Sequence, residues 1–236
     1  MRAAIIVLLV AVVPARAQEK PDELIRNAIT AAGGADVLKK FPAGRSTAKG
    51  TIFDGGAEVA VVIEQSFHAP GRYRTLMRSE PRGQKIDLFM VINGPKARQT
   101  LNGTAIPFTE ATLKECHTGM LILDAGYLLP LLTDEKFTLK AEKTGVLVQV
   151  RGYPDLHLGF DRKSGHLVRI ARKYADPVTA KEVDLEFVYS DFKVFNGLTR
   201  PTRCVALKDG HKALELVTES FTPLEKIDPK EFATED

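Results

Sequence analysis

Apolar residues recur at every second position from Arg45 to Ile106 and again from Lys136 to Phe221, and at every third and fourth position in between. The first period belongs to strands and the second to helices. In "AEVAVVIEQSF", Val59, Val61, Ile63 and Phe67 share one face. In "RYRTLMR", Arg72, Arg74 and Arg78 alternate with Tyr73, Thr75 and Met77. "KIDLFMVI" gathers Ile86, Leu88, Met90 and Ile92, but Phe89 and Val91 make its other face apolar too, so both faces of that strand are expected to be covered. "EVDLEFVYSDF" sets Val183, Leu185, Phe187 and Tyr189 against Asp184 and Glu186. Asp54-Gly55-Gly56, Asn93-Gly94-Pro95, Asn102-Gly103 and Asp209-Gly210 punctuate these runs. Asn, Asp and Gly accept the positive φ of tight hairpin turns. Short turns join antiparallel neighbours, since parallel ones need long crossovers. The pattern predicts about eleven strands.

Two helical stretches interrupt the alternation. "KPDELIRNAITAAGGADVLKKF" opens with Pro21, Asp22 and Glu23, which suit a first helical turn and its dipole. Gly33-Gly34 ends that helix, and a short turn from Ala35 to Phe41 follows. The longer helix starts at Thr112 to Glu115, which fits a capping box. Leu113, Cys116, Met120, Leu123, Tyr127 and Leu131 then follow at steps of three and four, and Leu121, Ile122, Leu128 and Leu129 widen the stripe almost to the full circumference. A helix apolar nearly all round is buried, and Pro130 breaks or kinks its end. The expected class is α+β: a large antiparallel sheet curled around a buried helix.

The first residues stand apart from this fold. Met1-Arg2, the eleven apolar residues Ala3 to Val13, Pro14 and then Ala15-Arg16-Ala17 have the three-part layout of a cleaved export signal. Such a run is too short to span a bilayer, which takes about 20 residues. Export with cleavage after Ala17 is therefore expected, leaving residues 18–236 as one domain. Loss of Arg2 and Arg16 leaves 31 basic against 30 acidic side chains, a net charge of +1. That balance lacks the clustered basic footprint that nucleic acid requires. An exported chain can oxidise its cysteines, but a separation of 88 residues leaves open whether Cys116 and Cys204 pair.

Candidate chemistry is sparse. The chain contains no G-x-S-x-G, H-E-x-x-H or P-loop pattern, and no cofactor is expected. None of His68, His117, His157, His166 and His211 sits in a metal-ligand spacing. The polar run Asp161-Arg162-Lys163-Ser164-Gly165-His166 offers an acid, a hydroxyl and an imidazole. Three residues on one tight turn splay outward and do not readily line up as nucleophile, base and orienting acid. Its expected role is a turn, and an exported hydrolase is the rival. Arg72, Arg74 and Arg78 suit either an anion-binding rim or a solvated strand face that resists edge pairing. Met120, Leu121, Leu123, Tyr127 and Leu128 suit either core or the wall of an apolar pocket.

Four stretches, taken in order, resemble the periplasmic outer-membrane lipoprotein-sorting (LolA/LolB-like) superfamily: "AITAAGGADVLKKF", "LGFDRKSGHLVRI", "YSDFKVFNGLTRPTR" and "PLEKIDPKEF". The resemblance implies an open, half β-barrel whose concave face is plugged by helices and whose hollow holds acyl chains. It implies a periplasmic carrier for a lipid or lipoprotein, with envelope sensing or protein interaction as the alternative for the same fold. It makes Leu113, Met120, Leu123, Tyr127, Tyr73, Phe89, Phe187 and Tyr189 the candidates for a hydrophobic cavity. No catalytic residue or metal is implied, the partners are acyl chains or envelope proteins, and a monomer without a stable transmembrane anchor is expected.

Overall fold

The computed structural model describes residues 20–176 and 181–234; the expected export signal at 1–17 lies outside them. Two helices open the chain, α1 (Pro21–Ala31) and α2 (Ala35–Lys40). A first meander follows: β1 (Ala43–Asp54), β2 (Ala57–His68), β3 (Arg72–Ser79), β4 (Ile86–Asn93), β5 (Lys96–Leu101) and β6 (Thr104–Ala105). Then come α3 (Glu110–Tyr127) and α4 (Leu129–Thr133). The second meander is β7 (Thr138–Glu142), β8 (Gly145–Gln149), β9 (Leu156–Phe160), β10 (Leu167–Ala175), β11 (Glu182–Phe195), β12 (Leu198–Lys208) and β13 (His211–Leu224).

All these strands form one antiparallel sheet of 13, in the order β6-β5-β4-β3-β2-β1-β13-β12-β11-β10-β9-β8-β7. The expected count of about eleven falls short at the short strands. β6 has two residues and β7, β8 and β9 five each, too few to carry a clear period. The two meanders meet where β1 pairs β13, so β6 and β7 are the free edges. The chain must therefore cross from one edge to the other, and α3 with α4 makes that crossing.

The curl of the sheet follows from two adjacent residues of α3. Glu115 pairs with Arg172 on β10, while the Cys116 thiol lies 3.4 Å from the Met90 sulfur on β4. Seven strand steps separate β4 from β10, about 34 Å along the sheet at ordinary strand spacing. A helix with its side chains is only about 10–12 Å across. Neighbouring residues on one helix reach both strands only if the sheet wraps around it.

Register fixes the two faces. On one line across the sheet, Phe67 pairs with both Gly44 and Tyr73, and Tyr73 with Ile92. On the other half, Phe187 pairs with Ala206 and Ile170, and Tyr189 with Cys204. These positions are concave. The main core lies between the concave side of β8–β10 and the helices: Ile25, Ala28 and Ile29 of α1 join Val146, Val148, Leu156, Leu158 and Ile170, with Tyr127, Leu128 and Leu131. A smaller core forms on the convex side, where Ile227 and Phe232 cover Ala43 and Val91, with Phe89 beside them. The expectation that both faces of β4 are covered holds, and the chain's own C-terminal segment covers the outer one.

The turns behave as their residues require. Asn102-Gly103 has φ of 50° and 79°, and Asp209-Gly210 has 48° and 76°, the paired positive values of a tight hairpin. The run 161–166 is the turn between β9 and β10. Asp161 Oδ1 accepts hydrogen bonds from the Ser164 amide and hydroxyl, both at 2.7 Å, and Gly165 takes φ 77°.

The structure corrects several expectations. The capping residue of α3 is Thr109, not Thr112. Thr112 N donates to Thr109 Oγ1 at 3.1 Å, and Thr109 N donates to Thr112 Oγ1 at 2.9 Å, so a threonine fills the role expected of the glutamate. The break after α3 falls at Leu128 (φ 67°), two residues before Pro130. β3 is an interior strand, so its arginines do not guard an edge. Cys116 and Cys204 are both free thiols.

Candidate functional site

The middle of the concave face is aromatic. Phe67 on β2 and Phe221 on β13 lie parallel, with centroids 6.2 Å apart and an interplanar angle of 7°. Between their strands runs β1, and at the point beneath the rings it carries Gly44. A Cβ there would stand 2.8 Å from Phe221 and 2.9 Å from Phe67. The two rings therefore occupy the space that a side chain at Gly44 would take. Phe195 completes the group, its ring edge-on to Phe221 at 5.2 Å.

Arg200 on β12 points into this cluster. Its guanidinium carbon is 5.8 Å from the Phe67 centroid and 5.9 Å from that of Phe221. Arg200 keeps some accessible surface, yet desolvation lowers its pKa, against smaller raising effects from the phenols of Tyr127 and Tyr189. Among the described residues it has no ion pair and no hydrogen bond.

Two of the predicted tyrosines show the same combination. Tyr73 and Tyr189 are only partly buried by accessible area. Desolvation nevertheless pushes the Tyr73 phenol up to about 12 and the Tyr189 phenol well above its ordinary value. Both tyrosines lie on the concave face, surrounded by protein yet with part of their surface open. Tyr73 accepts a hydrogen bond from Gln65 Nε2 at 2.6 Å. Tyr189 makes none among the described residues.

Of the other predicted residues, Tyr127 is buried and its hydroxyl sits between the carbonyls of Leu38 and Phe41, which ties the end of α3 to α2. Burial pushes its phenol up to about 12. Phe187 packs at the edge of the main core beside Tyr189. Met120 is buried on α3, and Leu113 is partly buried in the helix's first turn. Leu123 is 38% exposed, because Asp124 rather than Leu123 turns inward there. Phe89 lies on the convex face, opposite to Tyr73, with Arg74 5.2 Å above its ring. The structure thus brings Tyr73, Tyr127, Phe187 and Tyr189 to the concave side and takes Phe89 and Leu123 away from it.

Sequence reasoning missed Phe67, Phe221 and Arg200. The signal for Arg200 lies in the alternation Leu198, Arg200, Thr202, Cys204, Ala206, Lys208, where it is the one charge away from the strand's end. By contrast, the arginines singled out in "RYRTLMR" are outward: Arg78 pairs with exposed Glu64, and Arg74 covers Phe89.

The residues of the hydrolase alternative are not arranged for it. The Ser164 hydroxyl bonds Asp161 rather than an imidazole. The His166 ring stacks on Phe192 at 4.2 Å and 10°. The thiols are also held in the protonated form: burial and then Glu115 raise Cys116, and burial pushes Cys204 up to about 11. A separate cleft of about 870 Å³ opens between the β1–β2 hairpin and the residues following β3. Lys49, Arg78, Arg82 and Lys85 line it together with Glu58, Glu80 and Asp87; none of the hydrophobic-cavity candidates does, so it is distinct from the aromatic cluster.

A LolA superfamily protein from Nitrosomonas europaea superposes with a TM-score of 0.58 at 10% identity, covering 90% of this chain and 97% of that one. A putative outer membrane lipoprotein-sorting protein domain from Vibrio parahaemolyticus gives 0.53 at 9% identity, with the same coverage. The chain has the LolA-superfamily fold. A DUF1329 family protein from Desulfovibrio piger matches at 0.56 and 9% identity, over 90% of this chain and 97% of that one. No protein-family model and no curated protein sequence matches the chain. The LolA-like fold is thus carried by about one identical residue in ten, which agrees with a resemblance spread over turn and strand patterns rather than over one signature.

Proposed function

We propose that this protein is an exported, periplasmic binding or carrier protein that holds an acyl chain or a similar hydrophobic group in the concave hollow. The observation that carries this reading is the aromatic lining of Phe67, Phe221, Tyr73 and Tyr189, whose tyrosines are desolvated yet keep accessible surface. Pockets for apolar ligands are lined in this way, by aromatic and aliphatic side chains with a few placed polar groups. The crossing of α3 over the mouth of the curled sheet supports it further. Tyr127 and Asp124 fix one end of that helix, while Met120 and Cys116 face the sheet from its middle.

The carrier is a soluble binder in this account, not an enzyme, with residues 18–236 acting as one domain after removal of the export signal. No helix among the described residues is long and apolar enough to cross a membrane. Titration of the mature chain with a fluorescent fatty acid tests the proposal. Saturable binding of one equivalent, displaced by unlabelled acyl lipid, is the expected result. Linear, non-displaceable fluorescence would remove the basis for it.

A further inference from the structure

The inward face of β12 carries two charges: Lys208, at the strand's end, pairs with Asp176, whereas the Arg200 guanidinium has no ion pair and no hydrogen bond among the described residues. Its neighbours are two phenylalanine faces, which attract a cation weakly through their quadrupoles. A guanidinium taken out of water without a carboxylate or a set of carbonyl acceptors is costly, and ordinary buried charges are paired. The other inward arginine of the sheet shows that contrast. Arg172 is buried and meets Glu115 with two nitrogens and the Lys173 carbonyl with one of them, which balances its charge although its Nε has no partner. Arg200 lacks any such arrangement, and beside it the Tyr189 hydroxyl also lacks a hydrogen-bond partner. Two donors without a protein partner therefore lie on the same concave side and within electrostatic reach of each other, while the Tyr127 hydroxyl is already occupied by Leu38 and Phe41.

We propose that the ligand is an amphiphile with a singly charged anionic head, and that Arg200, aided by Tyr189, is the counter-charge that fixes the head while the chain lies along the aromatic wall. This rests on the hydrophobic-ligand reading above and narrows it. The planar guanidinium fork matches a carboxylate, and equally a phosphodiester, with two parallel hydrogen bonds. One arginine balances one negative charge. A neutral lipid would leave Arg200 without a counter-charge.

The test compares palmitate, methyl palmitate and lysophosphatidylglycerol as displacers of a neutral fluorescent acyl probe from the mature wild-type chain, Arg200→Met and Tyr189→Phe. Palmitate or lysophosphatidylglycerol should bind at least tenfold more tightly than methyl palmitate, and whichever of the two is preferred identifies the head as carboxylate or phosphodiester. Arg200→Met should erase that preference while leaving methyl palmitate binding within twofold. Tyr189→Phe should reduce the preference severalfold. Equal binding of the anionic and neutral compounds to wild type would overturn the proposal and leave the hydrophobic-ligand reading standing. Failure of all three to bind would overturn both. If Arg200→Met does not fold, the wild-type comparison alone decides.

Discussion

Asp124 on α3 holds Lys136 at 3.1 Å, with the carboxylate side chain 3% exposed and the amine 36% exposed. The same carboxylate accepts the Gly71 amide at 3.3 Å and so pins α3 to the β2–β3 turn. Burial nevertheless raises the Asp124 pKa, because desolvation outweighs the lowering by Lys136 and Gly71. Lys136 is raised in turn: desolvation opposes it, but Asp124 and Asp134 together prevail. A carboxyl whose folded pKa lies above its unfolded value stabilises the fold most below the unfolded value, and that contribution fades as pH rises through the folded one.

Asp124→Asn keeps an acceptor for Gly71 and removes the titration. Relative to wild type, the variant should therefore gain stability as pH rises from about 4, the ordinary range for a free aspartate, to 7. Urea melts at the two pH values check this. A variant that loses ground between pH 4 and 7 would mean that the ion pair with Lys136 dominates instead.

Glu115 and Arg172 join α3 to β10 at a side where the arginine side chain is 2% exposed and the glutamate 39%. Glu115→Gln leaves a buried guanidinium without its charge partner, and should cost about 2 kcal/mol, as for hydrogen bonds to charged groups. The half-exposure of Glu115 keeps the loss below that of a fully buried pair. Thermal melts give the stability. Faster release of a bound acyl probe would show in addition that this contact holds α3 over the hollow.

Met120 and Leu123 separate core from surface on one helix. Met120→Ala should cost about 2–5 kcal/mol, as for a buried large-to-small change. Leu123→Ser, at a position 38% exposed, should stay within about 0.5 kcal/mol. Denaturant titration of both variants measures the difference. Similar losses would mean that the helix is rotated from the orientation described.

The last two residues show what was legible in the sequence and what was not. The strand faces were legible, because burial on a pleated sheet forces a strict period of two. Thus Phe187 and Tyr189 fall on the concave side as read, and Asp184 and Glu186 fall outside, where they pair with Lys173 and Arg169. The turns were legible because Asn102, Gly103, Asp209 and Gly210 take φ values that few other residues accept. The rotation of α3 was not, because its apolar stripe runs nearly all round and supplies no direction. Tertiary partners choose it: Gly71 and Lys136 draw Asp124 inward and leave Leu123 out. The face of Phe89 was not legible for a related reason. Its strand is apolar on both faces, and only the distant residues Ile227 and Phe232 decide which face is outside. Arg200 went unnoticed because hydropathy reads an arginine as surface.

Gly165 closes the turn after Asp161 at φ 77°, and a Cβ there would stand 3.3 Å from the Asn27 carbonyl oxygen and 3.4 Å from Ala31 Cβ on α1. Gly165→Val should therefore cost stability twice over, through a left-handed backbone that β-branched residues avoid and through displacement of α1, for about 1–3 kcal/mol in all. Ser164→Ala should leave ligand binding unchanged. Unaltered melting of Gly165→Val would contradict the turn described.

Phe232 is fully buried where the C-terminal segment covers Val91 and Ala43 on the convex side. Phe232→Ala should cost about 3–5 kcal/mol, read from the shift of the melting midpoint. Because the convex core is remote from the hollow, the folded variant should keep its affinity for an acyl probe. A parallel loss of binding at temperatures where the variant is folded would mean that the two faces of β4 are not independent.

The central claim is that the hollow between α3 and the curled sheet holds a hydrophobic ligand. Native mass spectrometry of the mature chain, purified after export into a bacterial periplasm, tests it most directly. The account predicts a population heavier than the bare chain by the mass of one acyl lipid. Organic extraction should remove that mass, and incubation with acyl lipid should restore it. A spectrum showing only the bare chain, before and after incubation with acyl lipids, would contradict it.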